Sequence, residues 1–518
     1  MVVNGTRNIW QSIGTWFTFR RIFPLAFLVM IFALAVRQCA YIDPDLWWHL
    51  QTGQDIVAAR AIPHADIYSF TKAGSEWVTH EWLSEVVIYG IYRVAGWGGL
   101  VGIFSGLITL ALFITYRRCD GRPYVAALAV LLASASSSPL FGIRPQMITF
   151  LFASIYIALL SRFARDGHSR SLWWMPPMML LWVNFHAGYA IGLALIGLFM
   201  ISVALDGQWK LLRPLAIVLL ACTALVPLNP NGLRMFSYPL ETLTSPSMAR
   251  YIEEWSSPDF HKVMYLPLAA LFFALLGALA LSPKRARVGE LFLLFVTGFG
   301  ALRSGRHIPI FTLIAVPVFA KHLWALMLSR RWERWFTKPE LPVTGVALLI
   351  NFLFLLAPTT LGTVRVWHFV AHQKSYEAKN YPVAAVDFLT ARRLPAPIYN
   401  DYGWGGYLIK RLYPAYRVYI DGRADVYGDA FMTETMRTFE GHIGWREPLD
   451  RLAVHTILIS PDTALASLLR SDGEWQRVYE DDQAVIFTKA QNALTTSVND
   501  NNAGVDETSR AEAMSARR

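Results

Sequence analysis

Repeated apolar runs, most of them close to 20 residues long, constrain this chain more than any other feature of its sequence. As helices, runs of that length match the hydrocarbon thickness of a lipid bilayer. Only 16% of the 518 residues are charged, whereas soluble domains carry about 25%. The sequence therefore predicts a polytopic α-helical membrane protein with about eleven transmembrane helices. They are placed at 22–40, 97–116, 123–140, 146–163, 171–184, 188–205, 212–228, 264–282, 288–302, 308–328 and 341–363.

The Lys and Arg residues of the connecting loops are divided unequally between the two sides of the membrane. Most belong to one set of short loops, which includes the amino-terminal segment with Arg7 and the loop with Arg117, Arg118 and Arg122. The positive-inside rule places this set and the amino terminus on the cytoplasmic side of the membrane, which we expect to be a bacterial inner (plasma) membrane. The net charge of +10 then reflects orientation in the membrane, and nucleic acid is not an expected partner.

This orientation divides the chain into regions. Residues 1–363 form the transmembrane domain, and we expect its loop 41–84 on the exterior side. Residues 364–490 alternate short β-type runs such as "HTILIS" and "AVIFTK" with helical ones, which predicts an exterior (periplasmic or extracellular) α/β domain. Residues 491–518 lack aromatic residues and apolar periodicity, and are expected to be a disordered tail.

Polar side chains gather in the connections that are expected on the exterior side, whereas the opposite loops are plain basic anchors. The stretch "YIDPDLWWHL" follows the first span directly, and "THEW", "GIRPQ", "NFHAG", "IEEW" and "RSGRHIP" occupy later exterior connections. Acidic and basic groups on one side predict a shared binding or catalytic cavity. Its candidate residues are Asp43, Asp45, His49, His80, Glu81, Arg144, Asn184, His186, Glu254, Arg303, Arg306 and His307.

Each of these signals also has a purely structural interpretation. Asp43 and Asp45 can cap the helix that follows them, because Asp favours helix starts. "HEWLS" lacks the second His of a zinc-binding HExxH motif. Asn184 with His186 can satisfy carbonyls in a tight turn, and the arginines can anchor at lipid headgroups. Trp47 and Trp48 can stack on sugar rings, but we expect them to line the membrane interface instead.

The order of these motifs resembles the GT-C superfamily of polytopic glycosyltransferases, which use sugars carried on polyprenyl or dolichyl phosphate. "DPDLWWHLQTGQDIVAARAIP" followed by "WVTHEWLSE" is similar to the first exterior loop of that superfamily. The string "DPDLWWHL", "HEWL", "RPQ", "NFHAG" and "RHIPIF" resembles uncharacterised bacterial GT-C-like proteins, from 41 to about 488. "NDYGWGGYLI" also looks like the WWDYG region of oligosaccharyltransferase catalytic subunits. Asn400 replaces the Trp there, so acceptor-peptide binding is not implied, and Asp401 is interpreted as a helix cap.

The resemblance implies a membrane glycosyltransferase of the cell envelope that takes a lipid-linked sugar donor from among the membrane lipids; the acceptor is unknown. Asp45 falls where the family's catalytic acidic residue lies and is named as the base, with Asp43 as a substitute for it or an assisting group. Glu81 occupies the second acidic position, beside His80. Arg303 and Arg306 with His307, or Arg144, are the candidates for the lipid-linked phosphate. A divalent cation is compatible with Asp43, Asp45 and Glu81, but the sequence does not decide whether one binds.

Two other classes of function stay open. A transporter places polar groups near the bilayer midplane and often has internal repeats, whereas the polar groups here cluster at the ends of spans and no repeat is evident. A non-catalytic protein of envelope assembly is the second alternative. The three cysteines, Cys39, Cys119 and Cys222, are far apart and form no metal or redox motif.

Overall fold

The computed structural model of the chain describes residues 19–334 and 345–490. Three predicted features therefore lie outside the described residues: the basic amino-terminal segment with Arg7, the start of the eleventh apolar run, and the tail 491–518. The described part is mostly helical, with one small sheet near the carboxyl end. Its helices, whose bounds are given below, include the apolar runs that the sequence predicted.

Helices form at every one of the eleven predicted apolar runs. The first half of the chain contains α1 (Phe19–Cys39), α2 (Pro44–Ala59), α3 (Trp82–Arg118), α4 (Tyr124–Ser137), α5 (Gln146–Asp166), α6 (Met175–Phe185), α7 (Tyr189–Leu205) and α8 (Leu212–Leu225). Then follow α9 (Tyr238–Thr244), α10 (Pro246–Tyr251), α11 (Leu266–Leu281), α12 (Val288–Arg303), α13 (Ile308–Ser329), α14 (Gly345–Ala371), α15 (Gln373–Asn380) and α16 (Val383–Arg392).

Several of these helices are long and apolar enough to cross a bilayer, so the chain is a membrane protein. Five segments qualify within the described residues, and a sixth if α1 and α2 count as one bent span; the five are Trp82–Arg118, Gln146–Asp166, Trp209–Leu228, Val263–Leu281 and Gly305–Ser329. The predicted number of eleven stays a prediction. Helix α6, for example, has 11 residues and is therefore only about 16 Å long, short of a hydrocarbon core of about 30 Å.

A sharp bend follows α1 and sets the direction of α2. The two helices meet at 86°. Asp43 stands at the bend as the N-cap of α2, and its Oδ1 accepts a hydrogen bond of 2.9 Å from the backbone N–H of Asp45. Pro44 occupies the first turn, where its missing N–H costs nothing. The predicted capping role of Asp43 is confirmed, and the bend turns α2 away from the direction of α1.

Helix α3 is two helical segments joined at Gly96. The backbone of Gly96 has φ 58° and ψ −155°, a conformation that residues with a Cβ rarely adopt. Residues before the kink carry the polar side chains Glu85 and Ser84, and residues after it form the apolar run 97–116 that the sequence predicted. The kink therefore separates the polar start of α3 from its apolar length.

The chain divides into two compact units. Among the described residues, the first comprises 19–66, 74–334, 345–376 and 423–430. At its centre lies α13, and 78% of the most apolar 18-residue stretch of this segment is buried. Ser137 and Thr312 form a buried hydrogen bond of 3.0 Å between α4 and α13, which satisfies both hydroxyl groups in an otherwise apolar interface.

Among the described residues, the second unit comprises 67–73, 377–422 and 431–490. Its sheet has four strands in the order β1-β2-β4-β3, with β1 (Ile398–Asn400) parallel to β2 (Thr456–Ile459) and the other pairs antiparallel. Strands β3 (Trp475–Glu480) and β4 (Val485–Lys489) end the described chain. Around the sheet lie α16, α17 (Gly405–Leu412), α18 (Ala424–Phe439), whose first residues belong to the first unit, α19 (Arg446–Arg451) and α20 (Ala464–Arg470).

The "NDYGWGGYLI" stretch is a strand–turn–helix connection within this second unit. Oδ1 of Asp401 accepts a hydrogen bond of 2.9 Å from the N–H of Gly403, so the predicted capping role of Asp401 is confirmed. The buried side chain of Asn400 donates to the carbonyl of Ile420 and accepts from the N–H of Tyr419, both at 2.8 Å. These contacts give Asn400 a structural role. The domain boundary predicted at 363/364 stays a prediction.

Candidate active site

Four charged side chains that are far apart in the sequence form one continuous chain of ion pairs. Asp43 Oδ2 lies 2.7 Å from Nε of Arg144, and Arg144 Nη1 contacts Glu254 Oε1. The other carboxylate oxygen of Glu254 lies 3.2 Å from Nε of Arg306. We call this set, Asp43, Arg144, Glu254 and Arg306, the ion-pair chain. Its charges alternate, so each carboxylate is compensated by at least one guanidinium.

Short connections between helices hold the ion-pair chain together. Arg144 immediately precedes α5, Glu254 lies in a single 3-10 turn, and Arg306 lies in the turn between α12 and α13. Ser304 donates to the carbonyl of Glu254 at 3.1 Å, which ties the Glu254 turn to the Arg306 turn. The guanidinium of Arg306 also lies over the Trp255 ring, 4.5 Å from its centroid. The hydrogen bond from the Ser304 hydroxyl thus helps to bring Glu254 and Arg306 together.

Asp45 stands beside the ion-pair chain without an ion pair of its own within the described residues. Its Oδ1 accepts a hydrogen bond of 3.2 Å from the indole N–H of Trp48, one turn later in α2. Its side chain is only half-buried. Burial, with the neighbouring charge of Asp43, raises the pKa of Asp45 to about 7. A carboxylate with such a pKa is suited to accept a proton near neutral pH.

Glu81 lies among three histidines that come from three different parts of the chain. Its carboxylate oxygens are 3.8 Å from Nε2 of His49, 3.6 Å from Nε2 of His80 and 3.9 Å from Nε2 of His186. We call Glu81 with these three histidines the Glu81 cluster. His49 and Glu81 are buried, 3% and 7% exposed, whereas His80 and His186 are half-buried.

Hydrogen bonds on the far side of each ring assign the proton positions of two of these histidines. Nδ1 of His186 accepts from the backbone N–H of Gly188 at 3.0 Å and from the hydroxyl of Thr149 at 2.9 Å. Thr149 in turn accepts from the indole N–H of Trp182 at 2.8 Å. Neutral His186 therefore carries its proton on Nε2, which faces Glu81.

His80 has a different environment and a different charge. Its Nδ1 lies 3.2 Å from the carbonyl of Val78, which can only accept, so Nδ1 is protonated. Burial opposes a charge on His80, but the adjacent carboxylate of Glu81 outweighs it and raises the pKa of His80. Burial alone would raise the pKa of Glu81, yet His80 and the other histidines hold it well below its usual range. The pair is therefore an imidazolium and a carboxylate.

The other two histidines of the cluster are neutral. Burial lowers the pKa of His49 to about 4 and that of His186 to about 3. Arg144 contributes to lowering the pKa of His49, and Arg306 to lowering that of His186. The ion-pair chain and the Glu81 cluster thus lie within electrostatic reach of each other.

Helix α2 joins the two groups physically. Asp45 lies in its first turn and His49 lies four residues further on, so the two side chains lie on the same face of the helix. Nine of the twelve predicted site residues therefore contact or neighbour one another in the ion-pair chain and the Glu81 cluster: Asp43, Asp45, His49, His80, Glu81, Arg144, His186, Glu254 and Arg306.

The remaining predicted residues have other surroundings. Arg303 is exposed and makes no ion pair within residues 19–334 and 345–490. Both ends of the Asn184 amide are engaged, since it accepts from the Trp82 indole and donates to the carbonyl of Leu180, each at 2.9 Å. His307 follows Arg306 directly and is half-buried. A role for these three residues in substrate binding stays a prediction.

The expectation that Trp47 and Trp48 line the membrane interface is wrong. They are only 5% and 6% exposed. Trp47 packs edge-on against Trp97, with ring centroids 5.4 Å apart, and Trp48 packs against Trp77. Their aromatic area is buried within the protein, which fixes α2 against α3 instead of anchoring it in lipid.

Three functional candidates were missed by the sequence reasoning. Glu85 is fully buried one helical turn after Glu81, and Nδ1 of His49 lies 3.8 Å from it. Tyr238 stacks on His80, with ring centroids 4.6 Å apart, and its hydroxyl donates to Asp425 at 3.1 Å. An acidic residue at i+4 from Glu81 within an otherwise apolar helix start was a readable signal for Glu85. Tyr238 and Asp425 carry no comparable signal, because their proximity depends on the tertiary fold.

A cavity of about 200 Å³ adjoins this aromatic contact. Tyr238, Val78 and Asp425 form part of its wall, together with Glu76, Arg234 and Glu241. Arg234 is paired with Glu241 and lies 3.4 Å from Glu76. Tyr238 thus lines the cavity and also contacts His80 of the Glu81 cluster.

The candidate cation site of Asp43, Asp45 and Glu81 does not assemble. Asp43 is paired with Arg144, and Glu81 lies among histidines instead of beside the other two carboxylates. Within the described ranges, no group of three or more His, Cys, Asp or Glu side chains is arranged to hold a metal ion. These residues do not fit a divalent cation in this arrangement, and no step below passes through one.

Comparisons with known proteins identify the fold. No protein-family model and no curated protein matches the chain. Among solved structures, it is similar to the Archaeoglobus fulgidus oligosaccharyltransferase tethered with an acceptor peptide, with a TM-score of 0.50 and 13% identity over 92% of this chain and 75% of that one. ArnT from Cupriavidus metallidurans bound to undecaprenyl phosphate gives a TM-score of 0.48 and 14% identity over 91% and 98%. The chain therefore has a GT-C-like fold, as its motifs predicted.

Proposed function

Because the chain has a GT-C-like fold, we propose that it is a membrane glycosyltransferase that moves a sugar from a polyprenyl-phosphate-linked donor to an acceptor. In this proposal the reaction takes place on the exterior side of a bacterial inner membrane, with the amino terminus in the cytoplasm. The observation that carries the proposal is the half-buried Asp45 beside the ion-pair chain, at the bend that follows α1. It places a proton acceptor near the guanidinium of Arg144, which the ion-pair chain links through Glu254 to Arg306.

Asp45 acts as the general base. Its carboxylate takes the proton from the acceptor's hydroxyl or amide as the acceptor atom forms a bond to the anomeric carbon of the sugar. A base that is positioned in this way typically contributes about 10²–10⁴-fold to the rate. A pKa of about 7 leaves a large fraction of Asp45 ionised at neutral pH, while the carboxylate is still basic enough to accept the proton.

Arg144 and Arg306 stabilise the leaving group. The bond between the anomeric carbon and the phosphate oxygen breaks, and polyprenyl phosphate departs with the electron pair. Guanidinium groups match phosphate oxygens in charge and geometry. In this proposal the phosphate oxygens bind Arg144 and Arg306 and replace the contacts that Asp43 and Glu254 make with them in this structure. Burial raises the pKa of Asp43, so Asp43 can become neutral when the phosphate replaces it.

Glu81 belongs to the acceptor side of the reaction. Its carboxylate is held ionised by His80, and Nε2 of His186 faces it at 3.9 Å. Tyr238 lines the cavity and contacts the His80 ring, so an acceptor bound in the cavity approaches Glu81 from the Tyr238 side. Transfer then requires the acceptor to lie between the Glu81 cluster and Asp45.

A transfer assay tests the proposal. The purified protein is reconstituted in vesicles with a polyprenyl-phosphate sugar that carries a radiolabel, and a membrane extract from cells that lack the gene supplies acceptors. We expect the label to move to lipid, protein or polysaccharide material only in the presence of the protein. A transporter moves the labelled lipid or sugar without changing its covalent attachment, and a non-catalytic assembly protein leaves the label on the donor, so either result would reject the proposed function.

A further inference from the structure

We propose that Glu85 is a positioning residue whose neutral carboxylic acid donates a hydrogen bond to Nδ1 of His49. This bond fixes the proton of the His49 ring on Nε2, facing Glu81. This inference deepens the proposed function and rests on it for its kinetic consequences. It assigns a role to a buried carboxyl group that neither the motifs nor the comparisons single out.

The first observation is a pair of buried polar groups that face each other. Glu85 is 0% exposed and His49 is 3% exposed. Both carboxyl oxygens of Glu85 and Nδ1 of His49 lack a hydrogen-bond partner within the described residues. Their closest atoms, Glu85 Oε1 and His49 Nδ1, are 3.8 Å apart. Buried polar groups are rarely left unsatisfied, and a small torsional change closes this gap to a hydrogen bond.

The second observation is the placement of His49 between two carboxyl groups. Glu81 and Glu85 are four residues apart at the start of α3, so they lie on the same face of that helix. The ring of His49 reaches both, with Nε2 3.8 Å from Glu81 and Nδ1 3.8 Å from Glu85. Two ionised carboxylates in this position would repel each other, and one proton between them removes the repulsion.

The proton inventory decides which group donates. Glu81 is ionised because His80 faces it, so the proton of His49 is favoured on Nε2, the ring nitrogen that faces Glu81 at 3.8 Å. His49 is neutral, because burial lowers its pKa to about 4. Its Nδ1 is then an acceptor and requires a donor. Glu85 is the group that faces Nδ1, and a fully buried carboxyl group without any other donor is least costly as the neutral acid. The unit is therefore Glu85–OH, neutral His49 and ionised Glu81.

Close packing of α2 against α3 holds the two residues in register. Gly53 lies one turn after His49, and a Cβ at this position would overlap the backbone carbonyl of Glu85. The helices therefore approach each other at the level of Glu85 as closely as a glycine allows. The surrounding charges that act on Glu85 are Glu81 on its own helix and Arg423, while His80 and Arg144 act on His49.

The experiment combines ¹⁵N NMR of histidine-labelled protein with steady-state kinetics. The His49 signals are identified by their absence in His49→Gln. We expect wild-type His49 to be neutral, with the proton on Nε2 and a hydrogen-bonded Nδ1. Glu85→Gln keeps a donor and should preserve both the tautomer and kcat within about threefold. Glu85→Met removes the donor and should lower kcat about 10–100-fold at unchanged KM, as for other residues that orient a functional histidine.

The matched control is Asp55→Asn, which alters a carboxylate on α2 that accepts a hydrogen bond from the Gln51 amide. It should leave the His49 signals and the rate unchanged. An imidazolium or an Nδ1–H tautomer of His49 in the wild-type protein overturns the proposal. So does a Glu85→Gln protein as slow as Glu85→Met. If Glu85→Met does not accumulate, the wild-type spectrum and Glu85→Gln decide. The NMR result needs no turnover, so it is independent of whether the proposed transferase activity is found.

Discussion

Nε of Arg144 lies 2.7 Å from Oδ2 of Asp43, and both side chains are more than four-fifths buried. The same guanidinium also contacts Glu254, so one positive group compensates two carboxylates. Breaking a buried ion pair by removing one partner is costly, because the other partner stays behind as an uncompensated charge. Arg144 thus joins the structural integrity of the site to its proposed role toward phosphate.

Arg144→Gln is expected to lower the free energy of unfolding by about 3–5 kcal/mol, the range measured when one partner of a buried pair is removed. Thermal unfolding of the detergent-purified protein measures the effect. Arg250→Gln is the matched control, since Arg250 is exposed and its replacement should change the stability by less than about 0.5 kcal/mol. Equal midpoints for the two variants would show that Asp43 and Glu254 do not depend on Arg144.

The rate of transfer is expected to depend on pH through Asp45. A general base must be ionised to act, and the pKa of Asp45 is raised to about 7. The value of kcat/KM should therefore rise about tenfold per pH unit below pH 7 and level off above it. The assay is run between pH 5.5 and 8.5 at constant ionic strength. A rate that does not change over this range is incompatible with Asp45 as the base.

Glu81→Gln is expected to destabilise the protein most between about pH 4.5 and 6.5. The folded pKa of Glu81 lies below its ordinary value of 4.5, so its contribution is present above that pH and is lost as the pH falls. The folded pKa of His80 lies above 6.5, so its contribution is complete below that pH and is lost as the pH rises. As the pH rises above this window and His80 loses its proton, the unfolding midpoints of wild type and variant should converge.

The control for this pH dependence is Glu253→Gln, which removes an exposed ion pair with Lys262. Exposed pairs contribute less than about 1 kcal/mol, so its effect should be small at every pH. If the difference between the wild type and Glu81→Gln stays the same from pH 5 to pH 8, Glu81 and His80 are not the coupled pair described above.

Gly53→Ala is expected to destabilise the protein by about 1–3 kcal/mol, because its Cβ overlaps the carbonyl of Glu85 and pushes α2 away from α3. Gly90→Ala lies on α3 with nothing within 4 Å of the new Cβ, so it should be neutral or stabilising. Thermal unfolding separates the two variants. Similar stabilities would mean that the helices can move apart at Gly53 without cost.

The helices and the capping residue at the bend could be predicted because they depend on local patterns. Each of the eleven apolar runs forms a helix, and Asp43 caps α2, because hydrophobic periodicity and N-cap chemistry act within a few residues. The predicted gathering of most site residues also agrees with the contacts, since loops at the same ends of a bundle lie near one another. The GT-C-like fold was predicted from the resemblance of the motifs to those of GT-C enzymes.

The pairing of side chains could not be predicted, because it depends on tertiary contacts. The sequence predicted acidic and basic groups around a shared cavity, but it did not show that Arg144 would pair directly with both Asp43 and Glu254. Trp47 and Trp48 were assigned to the interface because Trp often lies there, but packing of α2 against α3 buries them. The positions of Tyr238 and Asp425 beside His80 likewise depend on contacts between segments that are distant in the sequence.

The most direct test of the account is the transfer rate of Asp45→Asn compared with wild type, in vesicles that contain a labelled polyprenyl-phosphate sugar. Asn has the size of Asp but cannot take the acceptor's proton, so the rate should fall at least about 10²-fold while the protein accumulates and unfolds normally. Transfer by Asp45→Asn at the wild-type rate would contradict the account, because the proposed chemistry depends on this carboxylate.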